Sequence, residues 1–430
     1  MHDGQRADMA RVFSDIQSAG LLDFVSAWYR KAAEYMADNP AIRTGFVSTN
    51  SITQGEQVGV LWPDLLRRGV RINFAHRTFQ WSSEARGRAA VHCVIIGFAL
   101  HDTPDKRLFD YETPQAEAHE IKAKNINPYL VDAPDLVIFR RSAPLCAVPE
   151  IGIGNKPIDG GHYLFTPQER DEFLQKEPAA APYFRRWLGA DEFLYSYERF
   201  CLWLGDCPPD TLRKMPEALK LVEAVRNFRL ASKSAPTKKL ADTPTRFHVE
   251  NMPRDSFLLV PKVSSERRRY IPLGFMGPET LVSDLVFIIP HATLFHLGVL
   301  SSAMHMAWVR SVCGRLESRY RYSAGVVYNN FPWPQTETKT QRQAIEAAAQ
   351  AVLDARAKYP ASSLADLYDP LAMPPELVKA HHKLDAAVDA AYSKKKFSGD
   401  SDRVAFLFEL YQNLVSPLEG RRTMRRRAAH

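Results

Sequence analysis

With 430 residues, the chain has room for two to four domains of roughly 150 residues each. Its 45% hydrophobic and 24% charged content is that of a water-soluble globular protein. No apolar run approaches the ~20 residues of a membrane span, and the longest, 89–100, is interrupted by His92. The net charge of +7 is unevenly placed: residues 226–321 hold 15 Lys and Arg against 7 Asp and Glu, and Arg421–Arg427 adds five arginines in seven positions. Excesses of this kind suit a polyanionic partner. The opening Met1-His2-Asp3-Gly4-Gln5 lacks the charged-then-apolar order of a signal peptide. Cys93, Cys146, Cys201, Cys207 and Cys313 are scattered, with no C-x-x-C pair and no zinc spacing to histidine. The expectation is a cytoplasmic protein without a disulfide framework, a structural metal or a membrane partner.

In chain order, Leu21–Met36 has helical spacing, with Leu21, Phe24, Val25, Trp28 and Ala32 on one apolar face, and Asp38-Asn39-Pro40 ends it. Thr44–Thr49 reads as a short strand, Asn50–Gln54 as a polar loop, and Gly55–Arg68 as a helix that tolerates Pro63 only with a break or kink. Two β-rich runs follow, Val70–Phe79 and 89–100, joined by a polar loop over 80–88. This order predicts a parallel sheet closed by a hairpin. A doubly wound sheet normally starts with its own strands and a Gly-rich turn, whereas this chain opens on a helix. Residues 101–131 read as a polar connector.

From Pro134 to Pro334 the texture is one of short strands and loops, with Lys233–Thr245 predicted to be an exposed loop. Leu281–Pro290 reads as one strand and Leu294–Val312 as one buried helix. Beyond Thr336 the chain is helical, over Arg342–Lys358, Pro375–Tyr392 and Arg403–Val415.

The sequence contains no G-x-x-x-x-G-K-[ST], H-E-x-x-H or G-x-S-x-G. Ile151-Gly-Ile-Gly-Asn155 lacks the third glycine and following helix of a nucleotide fingerprint, so it reads as a turn. His381 and His382 are neighbours on a helix and point about 100° apart, so they cannot chelate one metal together. The loop after Phe79 is more informative. It sets Phe79 and Trp81 beside Arg86 and Arg88 at a strand end, which suits stacking on a nucleobase and pairing with phosphate; a hairpin tip packed on a neighbour is the alternative. In Arg310–Trp333, Arg310, Arg315, Arg319 and Arg321 alternate with Tyr320, Tyr322, Tyr328 and Asn329-Asn330. Arginine reads guanine edges or clamps phosphate, and asparagine reads adenine. Arg267-Arg268-Arg269 and Lys233, Lys238 and Lys239 suit phosphate contacts that position without specifying; for the lysine loop a solvated face is the stronger alternative.

Taken together, Leu22–Ala33, Gly45–Leu61, 75–98, Gly154–Tyr163, Met304–Pro334 and Tyr368–Leu414 make the chain resemble the C-terminal portion of MmeI-like (type IIL) restriction–modification proteins, which are adenine-specific DNA methyltransferases. The resemblance implies an α/β protein: the C-terminal part of a Rossmann-like class I methyltransferase sheet plus connector (1–131), a mixed α+β target-recognition domain (132–335), a helical C-terminal domain (336–420) and a basic tail (421–430). Complete members bind S-adenosylmethionine through a Gly-rich motif and the flipped adenine through an Asn-Pro-Pro-aromatic motif. Neither occurs here, and Asn39-Pro40-Ala41-Ile42 lacks the second proline and the aromatic.

The resemblance therefore implies sequence-specific recognition of double-stranded DNA, with adenine-N6 methylation requiring an N-terminal half on another chain; the alternative is a stand-alone specificity subunit without catalysis. It assigns Phe79 or Trp81 to the extruded base and Leu22, Asp23 and Trp28 to the wall of the S-adenosylmethionine pocket. The DNA cleft receives Arg86, Arg88, Asn155, Lys156, Arg267, Arg268, Arg269, Arg310, Arg315, Arg319 and Arg321.

Overall fold

A computed structural model describes residues 1–81, 92–111, 113–335 and 337–427, with side chains as far as Ser416. The first part is a five-stranded sheet of β1 (Arg43–Thr49), β2 (Arg71–Gln80), β3 (His92–Ala99), β4 (Lys106–Asp110) and β5 (His119–Ala123), in the order β1-β3-β2-β4-β5. The expected hairpin of β2 and β3 forms, but β3 inserts between β1 and β2 and pairs antiparallel with both. Parallel pairing is confined, in this sheet, to β2 with β4. The crossover from β1 to β2 leaves a gap one strand wide, and β3 fills it. Gly97 makes this close fit possible, because a Cβ there would stand 2.0 Å from the Phe74 ring.

Three helices accompany the sheet: α1 (Asp3–Val12), α2 (Ser26–Asp38) and α3 (Glu56–Arg67), the last running through Pro63 without interruption. The face of α2 is not the predicted one. It buries Ala27, Tyr29, Arg30, Ala33 and Met36, and leaves Leu21 and Trp28 half exposed. Arg30 can be buried because Asp15 takes its guanidinium at 2.7 and 3.1 Å and Glu34 takes Nε at 3.0 Å, a pairing that hydropathy cannot register. The same holds for the supposed connector. Residues 101–131 contain β4 and β5, and buried Lys106 is matched by Asp102 and Asn125 at 2.9 Å.

The middle of the chain is built from small sheets. In one, Gly274–Met276, Phe257–Pro261, Val286–Pro290 and Gly152–Ile153 lie side by side, all antiparallel. In another, Thr280–Val282 runs parallel to Phe184–Leu188, followed by Phe200–Leu202 and Leu164–Phe165. The single strand expected over Leu281–Pro290 is thus two strands in two sheets. The Gly-x-Gly sequence before Asn155 serves packing, since a Cβ on Gly154 would meet the Ser283 carbonyl oxygen at 2.3 Å. Lys233–Thr245 is likewise more ordered than expected: Ala235–Lys239 is helical and Leu240–Asp242 a 3-10 turn. Fully buried Arg229 gathers this turn by donating to the carbonyls of Pro157, Ile158, Leu240, Thr243 and Arg246.

The buried helix expected over Leu294–Val312 is two helices, α4 (Leu294–Leu300) and α5 (Ala303–Val312). Ser302 breaks the run by capping α5, accepting from the His305 backbone N–H at 3.3 Å and donating to the Val299 carbonyl at 2.7 Å. Three long helices complete the chain: α6 (Lys339–Ala357), α7 (Pro375–Tyr392) and α8 (Asp400–Arg427). One apolar core runs from Met9 in α1 through Trp308 in α5 to Tyr411 in α8, so the first sheet, part of the middle region and the C-terminal helices share an interior.

Two stability predictions follow from buried polar groups. Arg229→Met leaves five carbonyls without their donor and should cost roughly 3 kcal/mol or more in urea unfolding at pH 7. His305 bonds Tyr322 through Nε2 at 3.0 Å, and burial pushes its pKa down from 6.5 to about 3. Its folded value lies below its unfolded one, so its contribution is present above pH 6.5 and is lost as pH falls. Between pH 7 and pH 5 this should remove about 2 kcal/mol, and His305→Gln should abolish that step.

Candidate nucleic-acid interface

A cavity of about 1140 Å³ opens between the C-terminal ends of β2 and β4, the segment Glu266–Tyr270, the end of α5 and the start of α8. Arg77, Arg267, Arg268, Arg269, Arg310, Arg315 and Arg403 line it, against Asp110, Glu266 and Asp400. Some of these charges are matched internally. Arg77 holds Asp110 at 2.7 Å and Arg310 holds Asp400 at 2.6 Å. Burial works against the Arg310 charge, but Tyr320 and Asp400 beside it outweigh that and raise its pKa. His92 is pushed the other way: burial and Arg315 lower its pKa, against the opposing pull of Glu266.

The hairpin Gly314–Leu316 with Arg319–Arg321 sorts the predicted arginines. Arg315 pairs in register with Tyr320, and its guanidinium lies 3.9 Å from the centre of that ring. Arg315 also donates to Gln54 Oε1 at 3.2 Å, which fixes the hairpin to the segment between β1 and α3. At the same corner Gly55, with φ of +68°, donates to the Val312 carbonyl at 3.0 Å, and a Cβ on it would meet the Gly314 backbone at 3.0 Å. Because successive side chains of a strand alternate, Arg319 and Arg321 point away from Tyr320 and are exposed outside the cavity. Arg319 pairs with Glu317 at 2.9 Å.

The Arg267–Arg269 segment is held from behind. Tyr270, the next residue, donates through Oη to Asp385 Oδ2 at 2.6 Å, and Asp385 Oδ1 accepts the Ala303 backbone N–H at 2.7 Å. Burial raises the Asp385 pKa. The Tyr270 ring stacks 4.0 Å from His381, whose Nε2 meets Tyr368 Oη at 2.8 Å. His381 is therefore a packing residue in α7, buried and pushed to the neutral form.

Several expected contacts are elsewhere. Asn155 is fully buried: its Nδ2 donates to the Val282 carbonyl and its Oδ1 accepts from Asn251, so only neighbouring Lys156 is exposed. Asn329 and Asn330 are buried too, with Asn330 tying Phe139, Gly325 and Arg141 together. Tyr320, Tyr322 and Tyr328 are core residues. Phe79 stacks on Tyr111 at 5.5 Å, while Trp81 is 46% exposed. Arg86 and Arg88 lie outside the described residues, as do the side chains of Arg421–Arg427. Sequence reasoning missed Arg77, Arg403, His92 and Gln54, which stand alone in their segments and reach the cavity only through folding.

The residues assigned to S-adenosylmethionine do not by themselves form a pocket for it. Leu22 is inside the apolar core. Exposed Asp23 accepts from Ser51 at 2.5 Å and from Gln57 at 2.9 Å, and Trp28 is 54% exposed. None of the three lines the cavity. Among the described residues there is no cluster of His, Cys, Asp and Glu that could hold a metal ion.

If Tyr270 positions the arginine segment, Tyr270→Phe should weaken DNA binding several-fold while leaving the thermal midpoint within a few degrees, read by fluorescence anisotropy and circular dichroism. Arg319→Ala, outside the cavity, should change binding far less.

Comparison with known proteins agrees with this layout. Residues 1–110 match the DNA-methyltransferase domain of MmeI, 132–335 its target recognition domain and 337–419 its C-terminal domain. DNA methyltransferase A of Bacillus subtilis (strain 168) is 40% identical over 411 residues, covering 95% of this chain and 46% of that protein. The solved structure of the type IIL restriction-modification enzyme MmeI in complex with DNA is 50% identical, with a TM-score of 0.89 over 97% of this chain and 55% of that one. The chain thus spans about half the length of the relatives it matches. With all three parts matched in order, and the sheet of the first part ending at the arginine-lined cavity, the chain belongs to the MmeI family.

Proposed function

We propose that this chain recognises double-stranded DNA as part of an S-adenosylmethionine-dependent adenine-N6 methyltransferase of a restriction–modification system. The observation that carries the reading is the cavity, in which Arg267, Arg268, Arg269 and Arg315 face the strand ends of the methyltransferase sheet across a space of about 1140 Å³. Guanidinium groups in a groove clamp phosphates and read guanine edges, and the MmeI relative was solved with DNA bound. The division is 1–131, 132–335, 336–420 and a basic tail over 421–430. The site is cytoplasmic in this reading, and no described helix is long and apolar enough to cross a membrane.

Transfer of a methyl group to an exocyclic amine is chiefly a positioning problem. Here S-adenosylmethionine supplies the methyl group, and the residues of this chain bind and orient the acceptor duplex. Phe79 and Trp81, at the end of β2, are the aromatic faces available to an extruded base. Because the Gly-rich and Asn-Pro-Pro-aromatic motifs are not among these residues, methylation draws on a further segment that carries them. The second reading is a specificity subunit that binds DNA and takes no part in catalysis.

Binding to a randomised duplex library separates readers from clamps. Arg267→Ala and Arg269→Ala should each weaken all duplexes similarly and reduce the salt slope by about one. Arg315→Ala should change which sequences are retained. Uniform effects of all three on every sequence would overturn the assignment of Arg315 as a reader. Labelled-methyl transfer from S-adenosylmethionine to unmethylated DNA by the purified chain tests the need for a further segment, and incorporation would refute it.

A further inference from the structure

The rim of the cavity is not polar throughout. Pro370 lines it, and Leu371 beside Pro370 is 88% exposed, more than any other large apolar side chain among the described residues. A lone exposed leucine is ordinary. This one belongs to a run of six apolar residues, Pro370–Pro375, that turns at the surface, where turns usually include polar side chains. Pro370 and Ala372 are exposed with it, so the turn presents an apolar tip.

The tip is held firmly. Asp369 Oδ1 accepts the Leu371 N–H at 2.8 Å, and the Asp369 carbonyl accepts from Ala372 at 3.1 Å and from Met373 at 2.9 Å. Met373 packs on the apolar core. Just before the turn, the Oη of buried Tyr368 lies 2.8 Å from His381 Nε2, and His381 is the ring on which Tyr270 stacks. One histidine thus fixes the tip and the Arg267–Arg269 segment relative to each other. The segment joining α7 to α8 adds charge at the same rim: Lys394, Lys395 and Lys396 are exposed shortly before Ser398 and Gly399, which line the cavity.

A base leaves a duplex only after its stacking is lost, at a cost of a few kcal/mol. Proteins that open or kink a duplex insert leucine, proline or another apolar wedge at a base step. A side chain in water contributes nothing to the core, whereas one already fixed in place loses little freedom when it meets a ligand. We propose that Leu371 is such a wedge: it enters the base stack of a duplex held in the cavity, and Lys394, Lys395 and Lys396 hold phosphates beside it. The C-terminal helices then touch the DNA directly, in addition to completing the core. The proposal rests on the reading of this chain as one that binds double-stranded DNA, and it names the part that opens the stack.

The test measures fluorescence anisotropy of the full 430-residue chain on one short duplex, either fully paired or carrying a central abasic site. Stacking is already lost at the abasic site, so the chain should bind that duplex roughly tenfold more tightly. Leu371→Ser should reduce the preference to about twofold or less, and Leu371→Met should retain most of it, with the thermal midpoint of both unchanged. Leu230→Ala, at an exposed leucine outside the cavity, should leave the preference intact. Replacing Lys394, Lys395 and Lys396 together by alanine should weaken both duplexes alike and lower the salt slope by about two to three. A preference that survives Leu371→Ser, or that falls equally with Leu230→Ala, overturns the wedge. A salt slope unmoved by the triple substitution overturns the phosphate contact. Equal affinity of the unaltered chain for both duplexes overturns the wedge and leaves DNA recognition standing, whereas binding to neither overturns both.

Discussion

The positions of Arg310, Arg315 and the Arg267–Arg269 segment in the cleft depend on one buried helix. In α5, Ala303 to Val309 are buried, and Ala303, Ala307, Arg310 and Ser311 line the cavity. Its first turn is tied to α7 by the Ala303–Asp385 hydrogen bond, and its last residue accepts the N–H of Gly55 at the start of α3. Trp308 packs against Phe408 and Tyr411 of α8 and donates to the Val327 carbonyl at 3.1 Å. A helix held on all sides cannot shift without opening cavities that cost several kcal/mol, so it serves as a fixed rail. The Arg315 hairpin extends from one end, and the Tyr270 network seats the arginine triplet beside it.

This arrangement gives the C-terminal helices a second role. They complete the core, and they also set the electrostatics of the cleft. Asp400 neutralises Arg310 across 2.6 Å, and Asp385 anchors the segment bearing Arg267, Arg268 and Arg269. What is left to face a polyanion is the triplet and Arg315, the last held flat by Tyr320. A guanidinium already oriented loses less freedom when it binds, which favours readout over simple attraction.

The first sheet has a buried and an open face. Its buried face joins the core that carries α5, whereas its other face carries aromatic and branched side chains with little to cover them. The cavity and the open face meet at Tyr111, which lines the cavity and hydrogen-bonds His76 on the open face.

Much of this was legible in the sequence. Local pattern located α3, the C-terminal helices, Pro375–Tyr392 to the residue, and the presence of α2 but not its buried face, and the clustered blocks placed the chain in its family. Local pattern was enough there because each helix buries one face and the period is intrinsic to the chain. It failed where burial depends on a distant partner. Arg30, Lys106 and Arg229 are inside because Asp15, Asp102 and a ring of carbonyls meet them, and Asn155, Asn329 and Asn330 spend their amides on the backbone. Alternating arginines and tyrosines in Arg315–Arg321 were visible as a basic-aromatic run. Which arginine faces the cavity was decided by strand pairing, because a strand sends successive side chains to opposite faces and only the fold says which face is the cleft.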